Sequence, residues 1–219
     1  MPLQLYAHPF SSYCQKVLVA LYENETPFAY RVLGLDDPQA GEELAALWPI
    51  KRFPVLVDGG ETVLESSVII EHLSLAHPGP VQLLPADAKA ALAVRMMDRF
   101  FDNYVMTPMQ KIVFDNIREP QDRDPYGVAE ARAMLDAAYQ WLDGRLAGRE
   151  WACGGNFGMA DCAAAPSLFY ADWVHEIDVA FPNTRAYRAR LLARPSFARA
   201  VEEGRPYRHF FPPGAPDRD

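Results

Sequence analysis

The order of three local signals within the first 75 residues constrains the fold most strongly. A strand-like run, Leu3–Ala7, leads into His8–Cys14, where a helix begins. Phe53–Val57 follows as a strand that starts next to a proline, and Leu64–Ser67 then opens a second helix over Val68–Leu75. In this order the three segments predict a site that holds a small anionic thiol between two helix N-termini and a fixed backbone edge.

The first helix start contains candidates for stabilising a thiolate. Ser11 or Ser12 occupies the N-cap position before the apolar, helix-forming run Tyr13–Leu21. A serine hydroxyl at this position can donate a hydrogen bond to the thiolate, beside the partial positive charge of the helix N-terminus. A hydrogen bond to a charged group contributes roughly 1.5–3 kcal/mol, which corresponds to a pKa lowered by about one to two units. The simpler alternative is that both serines only cap the helix.

The second signal is Pro54. A cis Phe53–Pro54 bond would form a tight turn and leave the N–H and C=O of Phe53 free to pair with the backbone of a peptide ligand. A trans bond at the start of a strand is the more common alternative, and the local sequence is compatible with both.

The third signal is the pair Glu65-Ser66. Free N–H groups of Ser66 and Ser67 at a helix start can receive a carboxylate, and Glu65 can accept a hydrogen bond from an amino group. The combination suits the head group of an amino acid, which carries both charges. Helix capping alone is again the simpler interpretation.

Composition excludes several classes of function. The 219 residues carry a net charge of −8, which argues against nucleic-acid and anionic-membrane partners. No secretory signal and no apolar run of membrane-spanning length is visible. The three cysteines form an odd set without metal-ligand spacing, which favours a reducing, cytoplasmic location. We expect no bound metal, and we expect His72 and His77 to be solvated residues at a helix end.

Periodicity divides the chain into two parts. Strands are expected at 3–7, 28–33, 54–57 and 62–64, with a hairpin turn at Asp58-Gly59-Gly60, and helices at about 12–23 and 66–76. Beyond a Pro- and Gly-rich linker, only helices are expected, near 87–117, 127–147, 159–173, 182–192 and 196–203. Pro108 is expected to kink the first of these helices.

Four stretches together resemble the glutathione S-transferase family along nearly the whole chain. They are Ser11–Val17, Trp48–Leu56, Leu64–Leu73 and Gly158–Asp161. The chain looks most like bacterial members of the serine-type branch. The resemblance implies a thioredoxin-like α/β domain over 1–77, a linker over 78–85 and an all-helical domain over 86–219. It also implies a homodimer and glutathione as cosubstrate.

The resemblance also implies a thiolate-stabilising serine at Ser11. Ser12 is the neighbour most easily confused with it, and Cys14 is the alternative if the protein is a reductase. A dithiol reductase would need a cysteine at position 11, whereas Cys14 lies one turn into the helix.

The glutathione-binding residues implied by the resemblance are five. Pro54 matches the cis-proline, and Phe53 matches the residue that binds the cysteinyl backbone. Glu65 and Ser66 match the acid-serine pair for the γ-glutamyl end, and Arg52 lies near the glycyl carboxylate.

The second domain is expected to contribute the pocket for the electrophile. Phe10, Tyr104 and Trp173 are the candidates. Tyr207–Phe211 is a segment that could cover the pocket mouth or simply pack on the surface. Where the family usually has Ser or Thr at a helix N-cap, this chain has Gly158, and Asp161 can still reach back to its backbone.

These residues favour a transferase that joins the glutathione thiolate to small hydrophobic electrophiles. Two alternatives stay open: a glutathione-dependent thiol–disulfide reductase or peroxidase, and a non-catalytic protein that binds glutathione or another ligand.

Overall fold

The computed structural model describes residues 3–34 and 37–219, in which a four-stranded mixed sheet with its helices precedes a helical part. The strands are β1 (Leu3–Ala7), β2 (Phe28–Val32), β3 (Val55–Asp58) and β4 (Glu61–Leu64). Met1, Pro2, Leu35 and Asp36 belong to the predicted first domain but lie outside the described residues.

The sheet has the strand order β2-β1-β3-β4. Strand β1 pairs in parallel with β2 and antiparallel with β3, which in turn pairs antiparallel with β4. The predicted hairpin turn is confirmed, because Asp58 pairs with Glu61 across Gly59 and Gly60. Both glycines have positive φ, 57° and 97°, a backbone region that glycine adopts without steric cost.

The helices are α1 (Ser12–Glu23), α2 (Pro38–Leu47), α3 (Ser66–Ala76), α4 (Ala88–Phe100), α5 (Thr107–Ile117), α6 (Pro125–Leu146), α7 (Met159–Val174), α8 (Pro182–Leu192) and α9 (Pro195–Gly204). Helix α2 was not predicted. Its start has two common features of a helix N-terminus. Pro38 is in the first turn, and the Asp37 carboxylate accepts a hydrogen bond from the N–H of Ala40 at 3.2 Å. Only Ala40 and Leu44 are buried, so its apolar pattern is too sparse to stand out.

The expectation of one kinked helix over 87–117 was wrong in detail. Helix α4 passes into a π-helical segment, Phe101–Met106, and α5 begins directly after it. Pro108 lies in the first turn of α5, where its missing N–H costs little. The irregular turn therefore precedes the proline.

Helix α7 joins the two parts of the molecule through one core. Val17 and Leu18 of α1 belong to the same buried cluster as Cys162 and Phe169 of α7. This shared core fixes α1, and the loop before it, against the helical part. The fold class predicted from the sequence, an α/β part followed by an all-α part, is confirmed.

The N-terminus of α7 is capped as expected from the sequence. The N–H of Gly158 donates to the Asp161 carboxylate at 2.9 Å. Among the described residues, no helix is both long and apolar enough to cross a membrane.

Candidate functional site

A cavity of about 830 Å³ lies between the α/β part and the helical part. One wall consists of the loop after β1, the segment before β3 and the start of α3. The other wall consists of α4, α5 and residues 210–212 of the C-terminal tail. The volume falls within the range of roughly 300–1,000 Å³ that is usual for small-molecule sites.

Ser11 lies in the cavity wall at the N-cap of α1, and its side chain makes no capping hydrogen bond. Its backbone is fixed, because its N–H donates to the His8 carbonyl at 3.0 Å. The loop is also anchored from behind, where the Tyr170 hydroxyl donates to the Phe10 carbonyl at 3.1 Å. A hydroxyl that does not cap its helix can act on a bound ligand. Ser12 also lines the cavity but is largely buried.

Cys14 lies outside the cavity wall and is fully buried. Burial raises the pKa of its thiol to about 12, and the hydrogen bond from the His8 N–H offsets only part of that rise. Cys14 is therefore a protonated core residue. This geometry disfavours Cys14 as a nucleophile.

The segment before β3 contributes both a backbone edge and positive charge. The Phe53–Pro54 peptide bond is cis, and both residues line the cavity. Sheet pairing begins only at Val55, so Phe53 lies beyond the last paired residue. Arg52 lines the cavity together with Lys51, which the sequence analysis did not consider.

The start of α3 places backbone N–H groups that lack intrahelical acceptors beside a carboxylate. Glu65 is the N-cap residue, and its side chain makes no capping hydrogen bond. Its φ of 68° is unusual for a residue other than glycine, and strain of this kind is concentrated at functional sites. Ser66 is buried at the first helical position, where N–H groups lack intrahelical acceptors.

Helix α4 and the π-helical segment add polar residues that sequence reasoning missed. Arg99, Asp102 and Asn103 all line the cavity. Asp102 is buried next to Lys16 of α1, with 2.9 Å between its carboxylate and the Lys16 ammonium nitrogen. Burial raises the pKa of Asp102, and the charge of Lys16 opposes that rise. The i, i+3, i+4 spacing of the three cavity residues could have indicated a common face.

Tyr13 and His8 also line the cavity, and neither was a candidate from sequence. Burial raises the pKa of Tyr13 to about 12, so its hydroxyl stays protonated and able to donate. Burial lowers the pKa of His8, which favours the neutral imidazole.

The apolar end of the cavity contains one of the three electrophile-pocket candidates. Phe10 lines it, together with Met109, Val113, Phe114 and Ile117 of α5 and Phe210 and Phe211 of the tail. The expectation that the segment 207–211 reaches the pocket mouth therefore agrees with the position of Phe210 and Phe211.

Tyr104 and Trp173 do not fit the predicted pocket, because both lie outside the cavity wall. Tyr104 is four residues after Phe100, and their rings are 5.8 Å apart on a face that packs towards Trp141 of α6. Trp173 packs behind the wall, with its ring centroid 5.1 Å from that of Phe211 and 6.4 Å from that of Phe10.

Comparison with known proteins identifies the family. Residues 5–81 match the family model of the glutathione S-transferase N-terminal domain, and residues 125–190 match that of the C-terminal domain. A glutathione S-transferase-like protein of a Fusarium species is 31% identical over 157 residues, which cover 68% of this chain and 70% of that protein.

Two further proteins match over most of both chains. The "Probable maleylacetoacetate isomerase" of Vibrio cholerae is 26% identical, covering 94% of this chain and 98% of its own. A crystal structure of a glutathione S-transferase from Methylobacillus flagellatus with glutathione bound is 26% identical, with a TM-score of 0.81 over 90% of this chain and 98% of that chain. The chain therefore belongs to the glutathione S-transferase family.

Proposed function

We propose that this protein is a serine-type glutathione transferase that joins the thiolate of glutathione to small hydrophobic electrophiles. One observation carries the proposal: the Ser11 hydroxyl, not used for capping, lines the same cavity as Phe53, Glu65 and Ser66. In this arrangement a thiolate can lie at one helix start while the rest of the peptide extends to the other.

Glutathione has three recognition points that match groups in the cavity. The γ-glutamyl carboxylate would lie at the N–H groups that begin α3, and its ammonium group would lie beside Glu65. The cysteinyl backbone would pair with Phe53. Arg52 and Lys51 would face the glycyl carboxylate. The glutathione-bound relative supports this choice of ligand.

Ser11 would act on the thiol and would not itself become a nucleophile. Its hydroxyl donates a hydrogen bond to the thiolate, which lowers the pKa of the thiol and raises the anionic fraction at neutral pH. The apolar residues Phe10, Phe114 and Phe211 would hold the electrophile at the other end of the cavity. The thiolate sulfur then attacks the electrophilic carbon and the leaving group departs.

Glutathione binding is the first test. At a hundredfold excess over Kd a ligand stabilises the native state by about 2.7 kcal/mol, so glutathione should raise the thermal midpoint. Glu65→Gln should weaken binding about ten- to a hundredfold, because it removes a charged acceptor worth roughly 1.5–3 kcal/mol. Glu61→Gln is the matched control, since Glu61 is exposed and outside the cavity wall. An unchanged midpoint at several millimolar glutathione would contradict the proposal.

Turnover separates the transferase from the alternatives. Glutathione is supplied with an aryl halide, a hydroperoxide or a mixed disulfide in parallel assays. We expect conjugation of the aryl halide. Exclusive activity on the disulfide would indicate a reductase, and binding without turnover of any substrate would indicate a binding protein.

A further inference from the structure

His72 and His77 were expected from the sequence to be solvated residues with no role in metal binding, but at the far end of α3 they contact Asp58 and form with it a cluster of three potential metal ligands. The Nε2 atoms of His72 and His77 are 2.9 Å and 2.7 Å from the same oxygen, Oδ2 of Asp58. One ligand atom from each of the three residues lies within 4.8 Å of the other two. None of the three residues lines the glutathione cavity.

The fold brings these residues together although they are distant in the sequence. Asp58 ends β3, and its position is fixed by the hairpin pairing with Glu61. His72 lies in α3. His77 is five residues later, which on a continuous helix would point about 140° away. It is instead the C-cap residue, with φ −132°, and this departure from the helix lets both rings reach Asp58.

We propose that Asp58, His72 and His77 form a binding site for a divalent transition-metal ion of the kind that prefers imidazole, for which Zn²⁺ is the test ion. Two imidazoles and one carboxylate are ligands typical of zinc. Metal–ligand distances of about 2.0–2.1 Å in a tetrahedral site place ligand atoms roughly 3.3 Å apart. The two nitrogen–oxygen separations, 2.9 Å and 2.7 Å, lie within about 0.6 Å of this value.

Exposure and charge also suit a metal ion. The three side chains are 21–33% exposed, so an ion can enter and a water molecule can complete its coordination. The Asp58 carboxylate contacts both rings through one oxygen and brings a negative charge to the site. In the present geometry the imidazoles donate Nε2–H to Asp58. On binding, each Nε2 must present its lone pair, so its proton is released or replaced by one at Nδ1.

The site is structural. Helix α3 has 11 residues and is therefore about 16 Å long. Glu65 and Ser66 lie at its other end, beside the cavity. A metal ion at Asp58 would tie the β3–β4 hairpin to the end of this helix and stabilise the native state, without entering the transferase reaction.

Zinc binding is measured on the full-length protein after treatment with a chelator, in buffer free of glutathione and other thiols. Competition with a chromophoric chelator gives affinity and stoichiometry, and thermal unfolding with and without ZnCl₂ gives the stabilisation. His72→Gln and His77→Gln retain a side-chain N–H for Asp58 but remove the imidazole ligand. The matched control is His209→Gln, an exposed histidine in the C-terminal segment.

We expect one zinc ion per chain and a raised thermal midpoint for the wild-type protein and for His209→Gln. Loss of an outer-shell partner alone costs about 10–100-fold in affinity, so loss of a ligand should weaken binding at least about tenfold. The proposal is overturned if both Gln variants bind zinc as tightly as the wild type, or if the wild type binds none. If the variants fail to fold, X-ray absorption of the zinc-loaded wild type decides: two imidazoles and oxygen ligands support the site, and sulfur ligands refute it.

Discussion

Lys16 of α1 and Asp98 of α4 form an ion pair of 2.6 Å in which both side chains are only 1% exposed. The Lys16 ammonium group also contacts the Asp102 carboxylate at 2.9 Å and the Ser67 hydroxyl at 2.8 Å. Lys16 thus connects α1, whose N-cap is Ser11, with α3, which begins at Ser66, and with the helical wall of the cavity. A buried charge of this kind is stable only while its partners are present.

Replacing Lys16 should destabilise the fold strongly. Lys16→Met leaves two buried carboxylates with only Arg99 as a counter-charge, and loss of one partner of a buried ion pair costs about 3–5 kcal/mol. Chemical denaturation should show a decrease of this size in the free energy of unfolding. The double variant Lys16→Met, Asp98→Leu should recover part of it, because the unpaired Asp98 charge is also removed.

A surface ion pair between neighbouring helices gives the control. Arg95 and Glu71 also connect α4 to α3, at 2.7 Å, but both are substantially exposed. Arg95→Ala should cost less than about 1 kcal/mol. Equal losses for Lys16→Met and Arg95→Ala would contradict the importance given to the buried pair.

The local part of the site could be predicted from sequence, and the long-range part could not. Ser11, Glu65 and Ser66 could be placed at helix starts that border one cavity, because the signals for a helix start lie in adjacent residues. Arg99 and Asp102 were missed because the face of their helix that borders the cavity is set by packing against α1 and α3, which are distant in sequence. Lys16 and Asp102 are 86 residues apart, so no pattern of neighbouring residues in the sequence could indicate that contact.

Thiol modification should distinguish Cys14 from a reactive cysteine. Burial raises the pKa of the Cys14 thiol far above pH 8, so the thiol stays protonated, and its sulfur is also inaccessible to a reagent. Half-buried Cys153 should therefore be alkylated first in the native protein, as measured by peptide mass spectrometry. Cys14→Ala should keep its transferase kcat/KM. Rapid native alkylation of Cys14, with loss of disulfide-linked activity in Cys14→Ala, would favour the reductase.

Exposed apolar residues on α3 and on α4 are compatible with the homodimer that the family resemblance implies. Val68 and Leu75 are seven residues apart on α3, and Leu92 and Met96 are four apart on α4, so each pair shares a helix face. Leu75 is 82% exposed and Leu92 is 65% exposed. Obligate interfaces commonly bury more than about 2,000 Å² and are rich in such residues.

Light scattering at micromolar concentration should give about twice 24.6 kDa. Leu92→Glu should shift the mass towards the monomer, because a charge would be buried in the interface. Val179→Glu is the control, since Val179 is at least as exposed as Leu92 but lies in the segment before α8, outside α3 and α4. A monomeric wild-type protein would refute the dimer.

The direction in which each side chain leaves its helix explains why Tyr104 and Trp173 lie outside the cavity wall. Tyr104 and Asn103 are neighbours in sequence, yet only Asn103 lines the cavity, because successive helical residues point in different directions. Trp173 is separated from the cavity by Phe10, Tyr170 and Phe211. An aromatic stripe indicates that a helix is packed, but not which of its residues face a ligand.

Substitution of Ser11 tests the proposed chemistry most directly. Ser11→Ala removes a hydrogen bond to the thiolate worth roughly 1.5–3 kcal/mol, so kcat/KM should fall about ten- to a hundredfold. The bond stabilises only the anion, and its loss raises the pKa of the bound thiol. The pH at which activity is half-developed should therefore rise by about one to two units. Affinity for glutathione should change less, because Phe53, Glu65 and Ser66 would still hold its backbone.

Three neighbouring variants make the assignment specific. Ser12→Ala tests the adjacent hydroxyl, Cys14→Ala tests the buried thiol, and Tyr13→Phe tests the other protonated hydroxyl in the cavity wall. A pH–rate profile with one aryl halide is recorded for each. If Ser11 holds the thiolate, only Ser11→Ala shifts the midpoint, since the other three groups do not contact the sulfur. The assignment moves to Ser12 or Tyr13 if that variant shifts the midpoint and Ser11→Ala does not.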